Sequence, residues 1–323
     1  MRTTVALARA AERLGYRRYW LAEHHNTRSL AGTVPEVLVG VVAARTSSIR
    51  VGSGGVLLPY RTPLMTAEAF RVLHALFPDR IDLGIGRAAG TDPVAEEALR
   101  RGPPELGEEL FPREVAALVG FLHGTVEDDD PYAGVRAMPT SEGAPQVWLL
   151  GSSSQSSACA AYLGLAFSFA HFITPAYGPQ IVRAYRKGFR PSEVRTTPAV
   201  NVAVSVVCAE TDAEAQVLAS TADLWRLGPE GADRRAILPA AEVATRPLGA
   251  LERELLAQHR AKVVVGAPDR VHAALTALAA DFDVDELLVV TVCHDEQARL
   301  RSYELLAQAF NLEPGGRPGK AAP

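Results

Sequence analysis

The sequence predicts an α/β protein built from parallel strands with helices between them. Two observations support this prediction: short apolar runs recur along the chain, and amphipathic segments with helical spacing separate them. A third is that several apolar runs end in glycine or in reactive polar side chains, as strands of parallel sheets do where ligands bind. The 323 residues, 48% of them hydrophobic, can form one large barrel or two smaller domains.

Seven apolar runs are predicted to be strands. They lie at residues 17–24, 49–55, 80–87, 146–151, 165–172, 201–208 and 285–292. Helices are predicted at residues 3–14, 35–45, 64–77, 111–122, 155–163, 179–189, 212–224, 251–259, 268–279 and 295–309. Gly15 ends the first helix and Pro35 begins the second. A closed barrel needs eight strands and an open doubly wound sheet tolerates seven, so both architectures stay open at this point.

Two stretches interrupt the alternation. Residues 88–107, rich in Gly, Pro and charges, follow the third predicted strand, and residues 226–262 combine Arg, Pro and a short helix. We predict that both are insertions over the active face, the second one a mobile lid. The Pro/Gly-rich residues 313–323 are predicted to be disordered, which leaves residues 1–312 as the folded domain.

Composition argues against several classes of partner and site. The net charge of −4 gives no basis for binding nucleic acid, and no apolar stretch is long enough to span a membrane. Cys159, Cys208 and Cys293 lie far apart in apolar runs, which predicts buried thiols, no metal site and a cytoplasmic protein.

The first predicted strand closes with Glu23, His24 and His25. Successive side chains of a strand point to opposite faces, so only one of the two histidines can face a barrel interior. The pair is therefore a poor metal site, and no other Cys/His/Asp cluster completes one. We predict one catalytic or substrate-contacting histidine here. The alternative is a structural role, with His25 capping or packing under the following loop.

Two other strand ends predict an anion site. Arg87 ends the third strand after Gly84-Ile85-Gly86, and a guanidinium placed there requires a phosphate or, alternatively, an acidic neighbour. Gly151, Ser152, Ser153 and Ser156 open a helix directly after a strand, where backbone N–H groups favour phosphate. Simple helix capping by serine is the alternative. The glycines of residues 84–90 only weakly match a dinucleotide-binding fingerprint, which leaves a Rossmann-type NAD(P) enzyme as a minor possibility.

The second predicted strand ends in Gly52-Ser53-Gly54-Gly55. Without side chains, this backbone either lets a flat ligand lie against it or makes a tight turn before Pro59. Together with the histidine and the two phosphate-binding strand ends, it fits a flat phosphorylated cofactor such as FMN.

These residues resemble those of the bacterial luciferase-like, flavin-dependent monooxygenases. The likeness rests on residues 23–26, 52–59 and 84–87, and residues 147–153 with the last strand and helix resemble the single-chain luciferase family oxidoreductase subgroup. It runs through residues 3–310. The resemblance implies a TIM (β/α)8-type barrel that uses reduced FMN and O2, or the deazaflavin F420 in related branches. It also implies a flavin reductase that supplies FMNH2, and a homodimer formed by the helices next to the second and third strands of that barrel.

The resemblance also implies a role for each candidate site residue. His24 is similar to the catalytic histidine near the flavin ring, and Gly54-Gly55 to a strand end that carries a non-proline cis peptide. The implied phosphate clamp consists of Arg87, Ser152, Ser153 and Ser156. Luciferase proper has a reactive cysteine where this chain has Gly86, which favours ordinary oxygenation over light emission.

The substrate is expected to be small and apolar. This expectation rests on an apolar barrel mouth, with Trp20, Leu57, Phe172 and Tyr177 as its candidate lining residues. Two alternatives stay open: an F420-dependent oxidoreductase, and a non-catalytic flavin-binding partner subunit.

Proteins of this family begin with a strand before the first helix, whereas this chain opens on a helix. The resemblance therefore implies a barrel that lacks its first strand, with unpaired edges at residues 17–24 and 285–292. We expect the missing strand to be encoded just upstream of Met1; the alternative is an impaired product.

Overall fold

All nine strands in the described part of the chain belong to one parallel sheet. The structure is a computed structural model that describes residues 1–87, 91–100, 104–126, 130–228 and 236–314, without the side chains of residues 104–109. The strands are β1 (Arg18–Leu21), β2 (Arg50–Ser53), β3 (Val56–Leu57), β4 (Ile81–Gly86), β5 (Gln146–Gly151), β6 (Ala166–Ala170), β7 (Val200–Cys208), β8 (Val263–Gly266) and β9 (Leu287–Val290).

Helices alternate with the strands, as the sequence predicts. Those in the described ranges are α1 (Arg2–Arg13), α2 (Pro35–Ala43), α3 (Pro63–Leu76), α4 (Pro93–Leu99), α5 (Pro104–His123), α6 (Ser154–Tyr162), α7 (Gly178–Gly188), α8 (Asp212–Leu227), α9 (Ala240–Thr245), α10 (Ala250–Arg260), α11 (Pro268–Phe282) and α12 (Glu296–Ala309). None of the described helices is both long enough and apolar enough to cross a lipid bilayer.

The sheet curls but does not close. Its path runs β1-β2-β4-β5-β6-β7, with β3 extending β2 along β4. Residues 202–205 of β7 pair with β9, and residues 205–208 pair with β8. In the described residues no strand joins β1 to β9, so the sheet forms a half-barrel that is open between them. The fold is the predicted TIM-barrel-like α/β fold with one strand missing.

All seven predicted strands are present, but the sequence analysis missed two others. β3 has only two residues, and the periodicity of so short a piece cannot be recognised. β8 is a four-residue apolar run directly after α10. It follows the last residue of the predicted lid, and no strand was predicted there. Within the described ranges it pairs with the end of β7 and with no other strand, so it adds to the sheet without closing the barrel.

The two predicted insertions contain helices. Residues 88–107 include α4 and the start of α5, which begins at Pro104 and not at residue 111 as predicted. The predicted lid contains the end of α8, then α9 and α10. Residues 88–90, 101–103 and 229–235 lie outside the described residues, as does the predicted disordered tail beyond residue 314.

A buried ion cluster lies where β1, β2 and β4 run side by side in the sheet. Asp82 on β4 is fully buried and accepts hydrogen bonds from Arg18 Nη1 (2.6 Å), Trp20 Nε1 (2.9 Å) and Arg50 Nε and Nη2 (2.9 and 2.6 Å). These partners are brought together by the register of β1, β2 and β4, in which Gly52 lies beside both Trp20 and Asp82. Arg18 also donates to Glu286 at 2.8 Å, across the opening between β1 and β9.

Candidate active site

The candidate site residues meet at one large cavity. His24, Gly54, Gly55, Arg87, Gly151, Ser152, Ser153 and Ser156 all line it. Its volume of about 2050 Å³ exceeds the roughly 300–1,000 Å³ of an ordinary ligand pocket. The excess arises because the cavity continues into the opening between β1 and β9, where Leu7 of α1 and Tyr303 of α12 also line it.

The loop after β1 places its two histidines differently. His24 lines the cavity and its backbone N–H donates to the carbonyl of Gly32 at 2.7 Å. His25 is absent from the cavity wall; its Nε2–H donates to Glu23 at 2.8 Å and its carbonyl accepts from Thr91 Oγ1 at 2.9 Å. Of the two histidines, His24 is therefore the one that lines the cavity, while His25 is bonded within the chain.

The glycines after β2 present bare backbone to the cavity. The peptide bond between Gly54 and Gly55 is cis, as the resemblance implies. A Cβ at Gly54 would lie 3.0 Å from Trp20 Cβ, and one at Gly55 would lie 2.9 Å from the carbonyl oxygen of Gly84. Close packing therefore favours glycine at both positions, and both residues line the cavity without a side chain. The tight turn proposed as the alternative comes later, at the 3₁₀ helix Leu58–Tyr60.

Arg87 and the start of α6 lie side by side. Arg87 Nη1 donates to Gln155 Oε1 at 2.6 Å, and no carboxylate in the described residues forms an ion pair with Arg87. Ser153 is the N-cap of α6, accepting from Ser156 N at 3.2 Å, so the capping role left open for serine is present. The first N–H groups of a helix have no acceptor within it.

These groups fit a phosphate. They combine a guanidinium, the N–H groups of the first turn of α6 beyond the one that Ser153 caps, and the hydroxyl of Ser152, which makes a long 3.5 Å hydrogen bond to Thr174. At Gly151 a Cβ would lie 2.4 Å from Ser156 Oγ, so glycine is required there for the end of β5 to pack against the first turn of α6.

Apolar side chains form much of the rest of the cavity wall. Trp20, Leu57 and Phe172 line it as predicted, but Tyr177 does not, because it is 75% exposed at the start of α7. Tyr60 also lines the cavity. Burial, and secondarily the charge of Glu96, raises the pKa of Tyr60 to about 12, so its hydroxyl keeps its proton at neutral pH and can donate a hydrogen bond.

Sequence reasoning missed the partners of Glu23. Its buried carboxylate is bonded to Arg61, to His25 and to the backbone N–H of Leu57. The available signal was a carboxylate at the end of an apolar strand, which requires a cation nearby. In the described part of the chain, no group of three or more His, Cys, Asp or Glu side chains is arranged to hold a metal ion.

Comparison with known proteins assigns the family. The family whose description is luciferase-like monooxygenase matches residues 1–286. The chain belongs to the luciferase-like monooxygenase family.

Relatives within this family cover nearly the whole chain. The apo structure of MsnO8 is 42% identical with a TM-score of 0.84, and the match covers 97% of this chain and 92% of that one. The N-acetyl-S-alkylcysteine monooxygenase of Bacillus subtilis (strain 168) is 32% identical over 309 residues, 95% of this chain and 91% of that relative. These similarities indicate that the chain is an oxidoreductase of the luciferase-like monooxygenase type.

More distant structures share only the fold. One is the oxygenating constituent of 3,6-diketocamphane monooxygenase from Pseudomonas putida in complex with FMN (TM-score 0.65, 20% identity, 95% of this chain and 91% of that one). Another is an F420-dependent secondary alcohol dehydrogenase in complex with an F420–acetone adduct (TM-score 0.68, 11% identity, 94% and 93%). The same fold therefore binds FMN in one protein and F420 in another.

Proposed function

We propose that this luciferase-like protein is a monooxygenase that uses reduced FMN and O2 to oxygenate a small organic substrate with a large apolar part. The observation that carries the proposal is the contact between Arg87 and Gln155 in the first turn of α6. It puts a guanidinium and a helix N-terminus on one side of a cavity that His24 and the Gly54-Gly55 backbone also line. One planar, anionic cofactor can contact all of them.

Each end of such a cofactor has its own set of residues. The phosphate would be held by Arg87, Ser152 and the N–H groups at the start of α6. The ring would lie against Gly54 and Gly55, within reach of His24. Reduced FMN, when bound, supplies the two electrons with which one oxygen atom of O2 enters the substrate and the other becomes water.

The chain's own residues would control protons and water around that reaction. His24 would donate or accept the proton at the reacting oxygen, and Tyr60 would donate a hydrogen bond without losing its own proton. Trp20, Leu57 and Phe172 would exclude water from the cavity mouth. A separate flavin reductase would deliver the reduced FMN. We infer that the protein acts in the cytoplasm, because it would depend on reduced FMN that diffuses to it from this reductase.

Replacing Arg87 with methionine tests the phosphate end. Arg87→Met is expected to weaken binding of FMN about 10- to 100-fold, because one charge-assisted contact to phosphate is lost. Binding of riboflavin, which lacks the phosphate, is expected to stay within about 2-fold of the wild type. Flavin fluorescence titration measures both constants. Arg301→Met, which removes an exposed guanidinium from α12, is the matched control and should change neither.

The cofactor itself is decided by parallel titrations. Wild-type protein is expected to bind FMNH2 and to incorporate ¹⁸O from ¹⁸O2 into decanal or into N-acetyl-S-butylcysteine, the second chosen from the relative's substrate class. Binding of F420 with no affinity for FMNH2 would replace the proposal with an F420-dependent oxidoreductase. Binding of flavin without oxygen consumption on any substrate would favour a non-catalytic partner subunit.

A homodimer is part of the proposal, and exposed apolar side chains on α2 and α3 support it. These two neighbouring helices, with the residue that precedes α2, expose Val34, Val37, Val41, Met65, Val72 and Leu76, which are 41–69% exposed. Exposed apolar stripes on adjacent helices are typical of a subunit interface.

Placing one charge on each helix tests this interface. The double variant Val37→Asp with Leu76→Asp is expected to elute as a monomer, while the wild type elutes as a dimer in size-exclusion chromatography with light scattering. Burying two carboxylates in an apolar interface costs several kcal/mol, on the order of the stability of a weak dimer. Val217→Asp, at an exposed valine of α8, is the control and should remain dimeric. A wild type that is monomeric at high concentration would contradict the dimer.

A further inference from the structure

Glu23 is a buried carboxylate on which three hydrogen-bond donors converge. Its side chain is 1% exposed. Oε1 accepts from His25 Nε2 at 2.8 Å and from Arg61 Nη2 at 3.0 Å, and Oε2 accepts from the backbone N–H of Leu57 at 2.9 Å. Glu23 is among the residues that line the cavity, and the chain itself supplies donors to three of the roughly four acceptor sites of its carboxylate.

Arg61 is the cation that is paired with this buried carboxylate. A buried carboxylate is strongly destabilising unless a cation is paired with it. Burial by itself would lower the pKa of Arg61. Its hydrogen bond to Glu23 and the charges of Glu23 and Glu36 raise that pKa by more than burial lowers it, so the guanidinium stays charged. Arg61 also donates to Glu36 on α2. The network thus connects the end of β1, the first turn of α2 and the segment before α3.

The geometry of the network relates two parts of the candidate site. Glu23 and His25 flank His24 in sequence and are bonded to each other, so they fix the backbone on both sides of His24. Leu57 lies in β3, two residues after Gly55. One carboxylate therefore sets the distance between the His24 corner and the bare backbone of Gly54-Gly55.

We propose that Glu23 is a positioning residue that holds His24 and the Gly54-Gly55 backbone at the separation a flavin ring requires. The proposal rests on the proposed function, because it assumes that the ring lies between these two elements. It assigns to Glu23 no contact with substrate and no proton transfer. Glu23 acts through His24 and through β3.

Glutamine at position 23 would break this arrangement without changing its size. Glutamine has one acceptor oxygen where glutamate has two, and its NH₂ group would face Arg61 or the N–H of Leu57, both of which are donors. At least one donor would be left without an acceptor. The local result is a less constrained β3 and His24 corner.

The test separates the ring end of the cofactor from its phosphate end. In Glu23→Gln, binding of riboflavin and of FMN is expected to weaken by the same factor of about 10, as when one buried donor loses its partner. Arg87→Met is expected to affect FMN only, as stated above. In the protein without flavin, amide exchange at Gly55, Val56 and Leu57 is expected to accelerate about 10-fold.

Glu12 provides a matched control for a purely structural carboxylate. On α1, Glu12 Oε1 accepts from the backbone N–H groups of Ser47 (2.7 Å), Ser48 (2.6 Å) and Ile49 (3.1 Å), and Glu12 does not line the cavity. Glu12→Gln is expected to lower the unfolding midpoint as Glu23→Gln does, yet to bind both flavins within about 2-fold of the wild type. A simple loss of stability would not produce this difference.

The outcomes decide between the inference and the proposed function. If Glu23→Gln does not fold, Glu23→Asp replaces it in the test. Aspartate keeps the charge beside Arg61, but its shorter side chain withdraws from Leu57. The affinities for FMN and for riboflavin are again expected to fall by the same factor. Flavin binding that depends on Arg87 but is unchanged in the Glu23 variants would overturn the inference alone. A wild type that binds no flavin would overturn both.

Discussion

Replacing His24 with alanine is expected to slow FMNH2-dependent oxygenation about 10²- to 10⁴-fold, the usual range for loss of a general acid–base group. His24 lines the cavity, while its neighbour His25 does not and is bonded to Glu23. FMN binding should change little, because His24→Ala keeps the bonds of Glu23 to Leu57 and Arg61 that position the Gly54-Gly55 backbone, and it keeps the phosphate contacts of Arg87 and α6. The measurement is ¹⁸O incorporation together with oxygen consumption, at saturating FMNH2 and substrate.

A second histidine variant controls for effects of a histidine-to-alanine substitution that do not depend on its place in the cavity. His272 lies on α11, outside the cavity, where its ring stacks on Phe310 at 4.6 Å. His272→Ala should oxygenate substrate at close to the wild-type rate. Unchanged oxygen consumption in His24→Ala would instead indicate that the chain is a non-catalytic flavin-binding subunit.

Replacing Asp82 with asparagine is expected to lower the free energy of unfolding by about 3–5 kcal/mol, because Arg50 loses its carboxylate partner and the buried Arg18 keeps only Glu286. Asp82 is fully buried, and the side chain of Arg18 is only 3% exposed. Asparagine would also offer one acceptor oxygen to donors from Arg18, Trp20 and Arg50, which now share two. Urea unfolding followed by circular dichroism measures the change.

The control for Asp82 is an exposed ion pair. Glu210 is bonded to Arg301 at 2.7 Å on the surface, and exposed pairs of this kind contribute at most about 1 kcal/mol. Glu210→Gln should therefore unfold close to the wild type. A loss below about 1 kcal/mol in Asp82→Asn would mean that the cluster relaxes or admits water, and that its pairing does not stabilise the barrel.

The sequence predicts the repeating strand–helix pattern because burial on both faces makes parallel strands into apolar runs. It predicts the site at their ends because Arg87, the serine turn and the bare glycines each have a recognisable local chemistry. β3 was missed because two residues are too few to recognise as a strand, and β8 because its apolar run follows directly on the stretch that was interpreted as a lid. Tyr177 was assigned wrongly to the cavity because nothing in the sequence shows how the segment after β6 turns into α7.

The polar networks of the barrel required three-dimensional information. Arg18, Arg50 and Asp82 come from three strands, and only the register of those strands brings them together. Arg61 lies 38 positions beyond Glu23 in a segment with no periodic signal. A sequence can show that a buried carboxylate needs a cation, but it cannot show which of many arginines supplies it.

The pairing of β7 has a mechanical consequence for the segment α8–α10. This excursion leaves the sheet at the end of β7 and returns as β8, which pairs with residues 205–208 of that same strand. Its two ends are therefore anchored side by side, and Arg260 of α10 ties it internally to Asp223 of α8 at 2.8 Å. The excursion thus begins and ends at the same end of β7, and the described parts of α8 and α10 are joined to each other by this ion pair.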